Sequence, residues 1–182
     1  MKRLIPVALA SALLLALAAG VRAGTLPGQV DFGTFASASG GEFVEVNVTS
    51  SLISLAASFV EKEEPDVAKL LKGLQLVHVN VVGINDENKA DLDARAQKIC
   101  KQLEGNGWEK VVTAQQRDQN VGIYLKTQQN GDVQGLVVIA VDGKKEAVFV
   151  NVVGDIKPEQ LSTLGDRLHI DPLKKLGHSE EK

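Results

Sequence analysis

The sequence predicts an α+β domain, in which a mostly antiparallel sheet of about six strands ends in a C-terminal meander and carries two to four helices on one face. Three observations support this class: apolar and polar residues alternate from residue 42 onward, helical spacing follows the first strand-like run, and four β-rich runs come in succession near the end. A chain of 182 residues holds one core of this kind and is too short for a large multidomain enzyme.

The first regular segment is a strand over Glu42 to Thr49, where valines alternate with polar residues at the two-residue period of a strand. Ser50 and Ser51 then predict the cap of a helix. Its apolar residues recur at helical spacing at Leu52, Leu55, Ala56 and Phe59. Pro65 opens a further helical turn that runs toward Gly73, because proline is favoured at the first position of a helix.

A second strand and a long amphipathic helix follow. Leu74 to Gly83 has the composition of a strand, and Asn88 precedes the helix, with Asp91 in a position like that of a capping box. Gly105 and Gly107 mark the end of the helix. One face of this helix carries the apolar residues Leu92, Ala96, Ile99 and Leu103.

The C-terminal part predicts an antiparallel meander. Its four β-rich runs are Glu109 to Gln116, Val121 to Thr127, Val133 to Asp142 and Ala147 to Val153. The pairs Asn130-Gly131 and Asp142-Gly143 are typical of tight hairpin turns. A last short helix is predicted over Pro158 to Leu168, and residues 174–182 form a polar tail. The predicted core contains Leu92, Ile99, Leu103, Val138, Val148 and Val150.

Residues 1–23 are predicted to be a signal peptide. Lys2 and Arg3 precede the apolar run Leu4 to Ala19, and Val21-Arg22-Ala23 provides the small residues that a signal peptidase reads. The alternative is a membrane anchor, but the run is shorter than the ~20 apolar residues that span a bilayer. Cleavage after Ala23 removes three basic residues and changes the formal charge from -3 to -6. We therefore expect a mildly acidic periplasmic or secreted protein with no stable membrane anchor.

Residues 24–41 form a Gly/Ser-rich leader before a single α+β domain over residues 42–173. Phe32 and Phe35 are two of only five phenylalanines, so we expect Leu26 to Phe35 to lie along the domain instead of staying in water. Ser37 to Gly41 would then act as a hinge.

Alternation within the strands also predicts a candidate binding face. If the valines of the first two strands and alternate residues of Val121 to Thr127 point to the helices, the residues between them point to the opposite side. That set is polar and varied: Glu45, Asn47, His78, Asn80, Tyr124 and Lys126. The last two strands add apolar residues to it, so this face should be covered by the leader, by a second copy or by a partner protein.

Enzyme and metal chemistry find little support in the sequence. His78 is the only plausible catalytic histidine, and a hydrogen-bonded strand residue is the simpler reading. Cys100, the only cysteine, is expected to be buried and inert beside Ile99. Metal-ligand spacings and nucleotide-binding loops are absent from the sequence, and no basic stripe suggests a nucleic-acid partner. We therefore predict no catalytic residues, no metal site and no cofactor.

The chain resembles the bacterial exported proteins grouped as domain of unknown function 4252, over essentially all of residues 26 to 173. The motifs that carry the resemblance are Leu26-Pro27-Gly28, Val30-Asp31-Phe32-Gly33, Val44-Glu45-Val46-Asn47, Gly107-Trp108-Glu109, Gly135-Leu136-Val137-Val138 and Glu146 to Ile156. The resemblance implies export and an association with genes for extracytoplasmic-function sigma factors, and it carries no catalytic residues or cofactor over. Unlike the lipidated members, this chain has no cysteine directly after its apolar run to accept a lipid.

Two function classes follow. The first is an exported, non-catalytic binding or interaction module of the cell envelope, linked to sensing or signalling, with a protein or peptide partner or with self-association through the sheet face. The second is a small exported enzyme or small-molecule binder that uses the open face of the sheet. A deep pocket formed by Glu45, His78, Tyr124 and Lys126 would favour the second class. A flat face covered by the leader would favour the first.

Overall fold

The computed structural model describes residues 26–35, 42–116, 119–157 and 160. The predicted signal peptide over residues 1–23, the hinge over Ser37 to Gly41 and the polar tail lie outside these residues, as does the predicted helix over Pro158 to Leu168 apart from Gln160.

The described chain contains six strands and three helices. In chain order they are β1 (Phe43–Thr49), α1 (Ser50–Val60), α2 (Pro65–Gly73), β2 (Leu74–Gly83), α3 (Lys89–Gly105), β3 (Glu109–Gln116), β4 (Gln119–Thr127), β5 (Val133–Asp142) and β6 (Glu146–Ile156). The strands form one antiparallel sheet in the order β1-β2-β6-β5-β4-β3. The predicted α+β class and the C-terminal meander are confirmed, because β3 to β6 are consecutive neighbours.

Element boundaries agree with the sequence pattern to within a few residues. The bounds of β2, β3 and β5 are those predicted, whereas β6 is longer at both ends and β4 begins at Gln119. The turn between β4 and β5 contains Gly131 at a φ of 89°, a backbone conformation that glycine adopts without a steric cost. The Asn130-Gly131 signal therefore marks a real hairpin.

The layering of the helices differs from the prediction. One core cluster joins α3 and the leader residues Phe32 and Phe35 to side chains such as Phe149. A second cluster joins Ile53 of α1 and Leu70 of α2 to β4, β5 and β6. Since successive strand residues point to opposite faces, the helices pack on both faces of the sheet and not on one. The physical reason is that β5 and β6 are apolar on both faces, so each face needs a cover. We call the two sides the α3 face and the α1–α2 face.

The leader segment Leu26 to Phe35 packs across the α3 face, as expected from its two phenylalanines. The buried side chain of Asn151 holds it at two points: the Val30 N–H donates to Oδ1 at 2.9 Å, and Nδ2 donates to the Gly28 carbonyl oxygen at 3.0 Å. At Gly28 the backbones approach so closely that a Cβ atom would lie 2.3 Å from the carbonyl oxygen of Gln134. Glycine is therefore required there, because φ is +85° as well.

Helix α3 follows the sequence prediction closely. Its buried residues are the four predicted ones, Leu92, Ala96, Ile99 and Leu103. Of the predicted core residues, only Val148 is half-buried instead of buried. Asn88 precedes the helix, but its side chain bonds to Asn85 N–H and to the Gly83 carbonyl oxygen and makes no cap bond to the helix.

Helix α1 turns a different side to the core than its spacing suggested. The helix begins at Ser50, with Thr49 at the cap position, so Ser50 and Ser51 lie within its first turn. Its buried residues are Ile53 and Ala57. The residues of the predicted stripe are instead exposed: Leu52, Leu55, Ala56 and Phe59. No helix of the described residues is long and apolar enough to cross a membrane.

Candidate functional site

The predicted binding face contains a small hydrogen-bonded group at the β1 and β2 end. His78 Nε2 lies 3.1 Å from Glu45 Oε1 and 3.1 Å from Asn80 Nδ2. A single ring nitrogen either donates to the carboxylate or accepts from the amide, so the Asn80 amide orientation must follow the His78 tautomer. This is the hydrogen-bonded strand histidine that the sequence favoured, and Asn47 lies beside it, exposed, on β1.

The leader covers much of this group. The ring of Phe32 stacks against His78, with the ring centroids 5.9 Å apart. Asn80 is buried, while Glu45 stays exposed at the rim. Phe32 therefore covers part of the histidine ring, while Glu45 and Asn47 stay exposed at the edge of the sheet.

The other two predicted residues lie on β4, which is separated from β2 by the strands β6 and β5. Tyr124 is fully buried beneath α3. Lys126 donates from Nζ to the carbonyl oxygens of Asn106 and Gly107, just beyond the C-terminal end of α3. A cation at this position interacts favourably with the exposed carbonyls at a helix end, which gives Lys126 a structural role. The six predicted residues share a face but do not form one site.

A cavity of about 460 Å³ lies between α3 and the outer strands of the sheet. Its walls include Ala96, Cys100, Lys110, Gly122 and Tyr124. A Cβ atom on Gly122 would lie 3.1 Å from the Tyr124 ring, so glycine there allows the ring to lie flat on the sheet. Cys100 is partly exposed in the wall, which corrects the expectation that it is buried.

The hydroxyl of Tyr124 is the unusual feature of this cavity. It is buried and makes no well-aligned hydrogen bond among the described residues, and the side chains that lie near it are Cys100 and Lys110. Lys110 Nζ lies 5.2 Å from the ring centroid and pairs with Glu104 at 2.7 Å. That pairing holds the pKa of Lys110 above its usual range, and burial raises the pKa of Tyr124 to about 12. At neutral pH the phenol is therefore protonated and serves as a hydrogen-bonding group and not as a base.

A second candidate site is an apolar surface on β1 and α1, which we call the β1–α1 surface. Its large side chains and their exposed fractions are Phe59 76%, Leu52 56%, Leu55 54%, Val44 52% and Val46 42%. The sequence pattern identified these residues as apolar positions of a strand and a helix, and it predicted that they face the core. A usable signal was present, because Ile53 and Ala57 form a competing apolar stripe on the same helix.

The family model described as domain of unknown function (DUF4252) matches residues 39–164. This range is more than half of the chain and contains every strand and helix of the described fold. The chain belongs to the DUF4252 family.

The DUF4252 match confirms the family resemblance seen in the motifs, although it is shorter at both ends than residues 26 to 173. Both the β1–α1 surface and the Tyr124 cavity lie within the matched range, whereas the docked leader segment Leu26 to Phe35 precedes it. No curated protein and no solved structure matches this DUF4252 chain.

Among residues 26–35, 42–116, 119–157 and 160, no group of three or more His, Cys, Asp or Glu could hold a metal ion. Within the part of the chain that the structure describes, His78 is hydrogen-bonded to the carboxylate of Glu45 and to the amide of Asn80. The two sites that this DUF4252 domain presents are therefore an apolar surface and a cavity with a polar floor.

Proposed function

We propose that this DUF4252 protein is an exported, non-catalytic interaction module of the bacterial cell envelope that binds a protein partner through the β1–α1 surface. The observation that carries the proposal is the exposure of five large apolar side chains on one edge strand and the helix that directly follows it. Contiguous apolar patches are uncommon on monomeric proteins and mark interaction sites when they occur.

The form of the surface supports a protein partner over a small molecule. An edge strand offers a row of free backbone groups, and an adjacent apolar helix offers contact area, which together suit the addition of a strand from another chain. The cavity beside Tyr124, the cavity between the leader and Arg95 and the cavity beside Gln119 all lie away from β1 and α1. The surface is therefore suited to docking and not to enclosing a substrate.

The envelope location is supported by the signal-like N-terminal segment and by the exported family that the motifs resemble. The same resemblance links the protein to genes for extracytoplasmic-function sigma factors, which favours a role in envelope sensing or signalling. Intact mass of the envelope form tests export directly, since cleavage predicts a chain that begins at Gly24. A retained Met1 in the envelope would instead identify residues 1–23 as an anchor.

Photo-crosslinking in the native envelope tests the partner surface. A photoreactive amino acid in place of Phe59 should give one defined crosslinked product, because this side chain is the most exposed of the surface. The matched control places the same amino acid at Lys69, which is exposed on the neighbouring helix α2. Equal products at both positions, or no product at Phe59, would contradict the proposal.

The cavity next to Tyr124 supports a second candidate function, the binding of a small molecule. Because the buried hydroxyl makes no well-aligned hydrogen bond, a mainly apolar neutral ligand with one carbonyl or hydroxyl group would satisfy it. The sheet face around His78 is less suited to this role, since Phe32 of the leader packs against the histidine ring. Neutral aromatic fragments should raise the melting temperature of the wild type but not of Ala114→Phe, which fills the cavity. Equal shifts in both proteins would exclude this site.

A further inference from the structure

The two edges of the sheet are protected to different degrees. Strand β3, at one edge, contains a register shift between Lys110 and Val112 and carries the charge of Lys110. Both features block the addition of another strand. Strand β1, at the other edge, pairs with β2 over all of its residues without a register shift and contains neither proline nor lysine. Among the described residues, β1 is therefore the edge that remains open to pairing.

The hydrogen-bonding direction of β1 is fixed by its first contact with β2. The Gly83 N–H donates to the carbonyl oxygen of Glu42 at 2.7 Å, so Glu42 directs its backbone groups toward β2. In an antiparallel pair this direction alternates from residue to residue. The residues whose backbone N–H and C=O groups point away from the sheet are thus Phe43, Glu45, Asn47 and Thr49.

We propose that β1 pairs with β1 of a second copy of this chain, antiparallel and centred on Val46, so that two sheets join across a two-fold axis. In this register Glu45 lies opposite Asn47 of the second copy, and Phe43 lies opposite its Thr49. Every outward-facing backbone group of β1 then has a partner. The proposal deepens the function proposed above, because it names the occupant of the same surface.

Neighbouring registers are less favourable. A pairing centred on Glu45 places two carboxylates directly opposite each other, which is destabilising across strands. A pairing centred on Asn47 leaves the backbone groups of Phe43 without a partner. The register centred on Val46 instead places a carboxylate opposite an amide that can donate to it.

The side chains of β1 favour the same arrangement. On the α1–α2 face, Val46 meets Val46 of the second copy and Val44 meets its Val48, so the exposed valines become covered. Helix α1 contacts β1 and β2, whereas α2 contacts β2 and β6. The helix with the exposed apolar stripe is thus the one nearest to the proposed axis, where a second copy adds apolar surface.

Disulfide trapping tests the register. The background is Cys100→Ser, which removes the only native cysteine. In this background Val46→Cys should form a covalent dimer on mild oxidation, because residues on the axis have Cα atoms ~4.5 Å apart, within the range of a disulfide. The matched control is Val44→Cys, which is more exposed than Val46 on the same strand but lies ~14 Å from its own copy in this register. We expect crosslinking to be at least about tenfold faster at Val46 than at Val44.

A backbone variant tests the pairing without any cysteine. Asn47→Pro removes an N–H that points away from the sheet, so the contacts between β1 and β2 are kept while the pairing to a second copy is lost. Sedimentation should show a dimer for the wild type and a monomer for Asn47→Pro, and the far-ultraviolet circular dichroism of the two proteins should be the same.

A monomeric wild type at all concentrations, or equal crosslinking at Val46 and Val44, would overturn the dimer. The proposed function is tested separately by the photo-crosslink at Phe59. A crosslink from Phe59 to a different envelope protein, together with a monomeric wild type, would reject the second copy and retain the interaction module. Absence of both results would reject both.

Discussion

Helices α3 and α1 have apolar residues at the same helical spacing, but this stripe is buried in α3 and exposed in α1. In α3 the stripe that includes Leu92 and Ile99 is buried against the sheet. In α1 the stripe that includes Leu52 and Phe59 is exposed, and the core contact is made by a second stripe. The difference lies in the rest of each helix. Most remaining positions of α3 are polar or charged, whereas those of α1 are further apolar residues and four serines, with no charged side chain.

This comparison shows what hydrophobic periodicity predicts. Apolar spacing of three and four residues identifies a helix, and a polar remainder identifies which side faces water. When the remainder is apolar as well, the side that becomes buried depends on the neighbouring elements. An apolar stripe that is left over on the surface is then available for an interaction.

The largest effect is expected where the leader completes the cover of the α3 face. Phe32→Ala should lower the free energy of unfolding by about 3 to 5 kcal/mol, because a buried ring that packs on Phe149 leaves a cavity. Urea unfolding followed by the fluorescence of the single tryptophan, Trp108, measures this change. Leu26→Ala, on the exposed part of the leader, is the control. Equal effects of the two substitutions would mean that the leader is not part of the core.

Substitution in the buried stripe of α3 tests the comparison itself. Ile99→Ala should destabilise the protein by about 2 to 5 kcal/mol through lost apolar burial and the remaining cavity. Lys98→Ala, on an exposed position of the same helix, should have little effect. A loss below ~1 kcal/mol for Ile99→Ala would show that α3 does not pack on the sheet as described.

Tyr124, beneath α3, gives a pH-dependent prediction. It is the only tyrosine, so absorbance at alkaline pH reports its ionisation alone. Burial raises its pKa to about 12, compared with ~10 for an unfolded chain. Between these values the unfolded state has lost a proton that the folded state keeps, so stability should fall as pH rises through this window. Tyr124→Phe should remove that part of the pH dependence, and a native pKa near ~10 would contradict the buried hydroxyl.

The smallest effect on stability is expected on α1. Phe59→Ala should change the free energy of unfolding by less than ~0.5 kcal/mol, because the ring is exposed. The same substitution should weaken association, measured by sedimentation of wild type and variant at equal concentrations. The control is Ile53→Ala, on the buried stripe of the same helix, which should destabilise the fold. A large loss of stability in Phe59→Ala would mean that α1 is oriented as its spacing first suggested.

The candidate site was predictable only in part. Alternation correctly placed His78, Asn80 and Tyr124 on the same face of the sheet. It gave no account of what covers that face, because the leader and α3 reach it through contacts that are distant in the sequence. Burial of Tyr124 and the closure over His78 therefore followed from the assembled structure and not from the strands themselves.

The sequence by itself determined the local structure and the family. Period-two alternation, helical spacing and turn residues such as Asn130-Gly131 act over a few neighbours, which is why β2, α3 and the meander appear where the pattern puts them. The tertiary structure decided the distribution of helices over two faces, the exposed side of α1 and the open edge at β1. These features depend on which apolar surfaces pack against each other. That packing involves segments that are far apart in the sequence, so local patterns do not determine it.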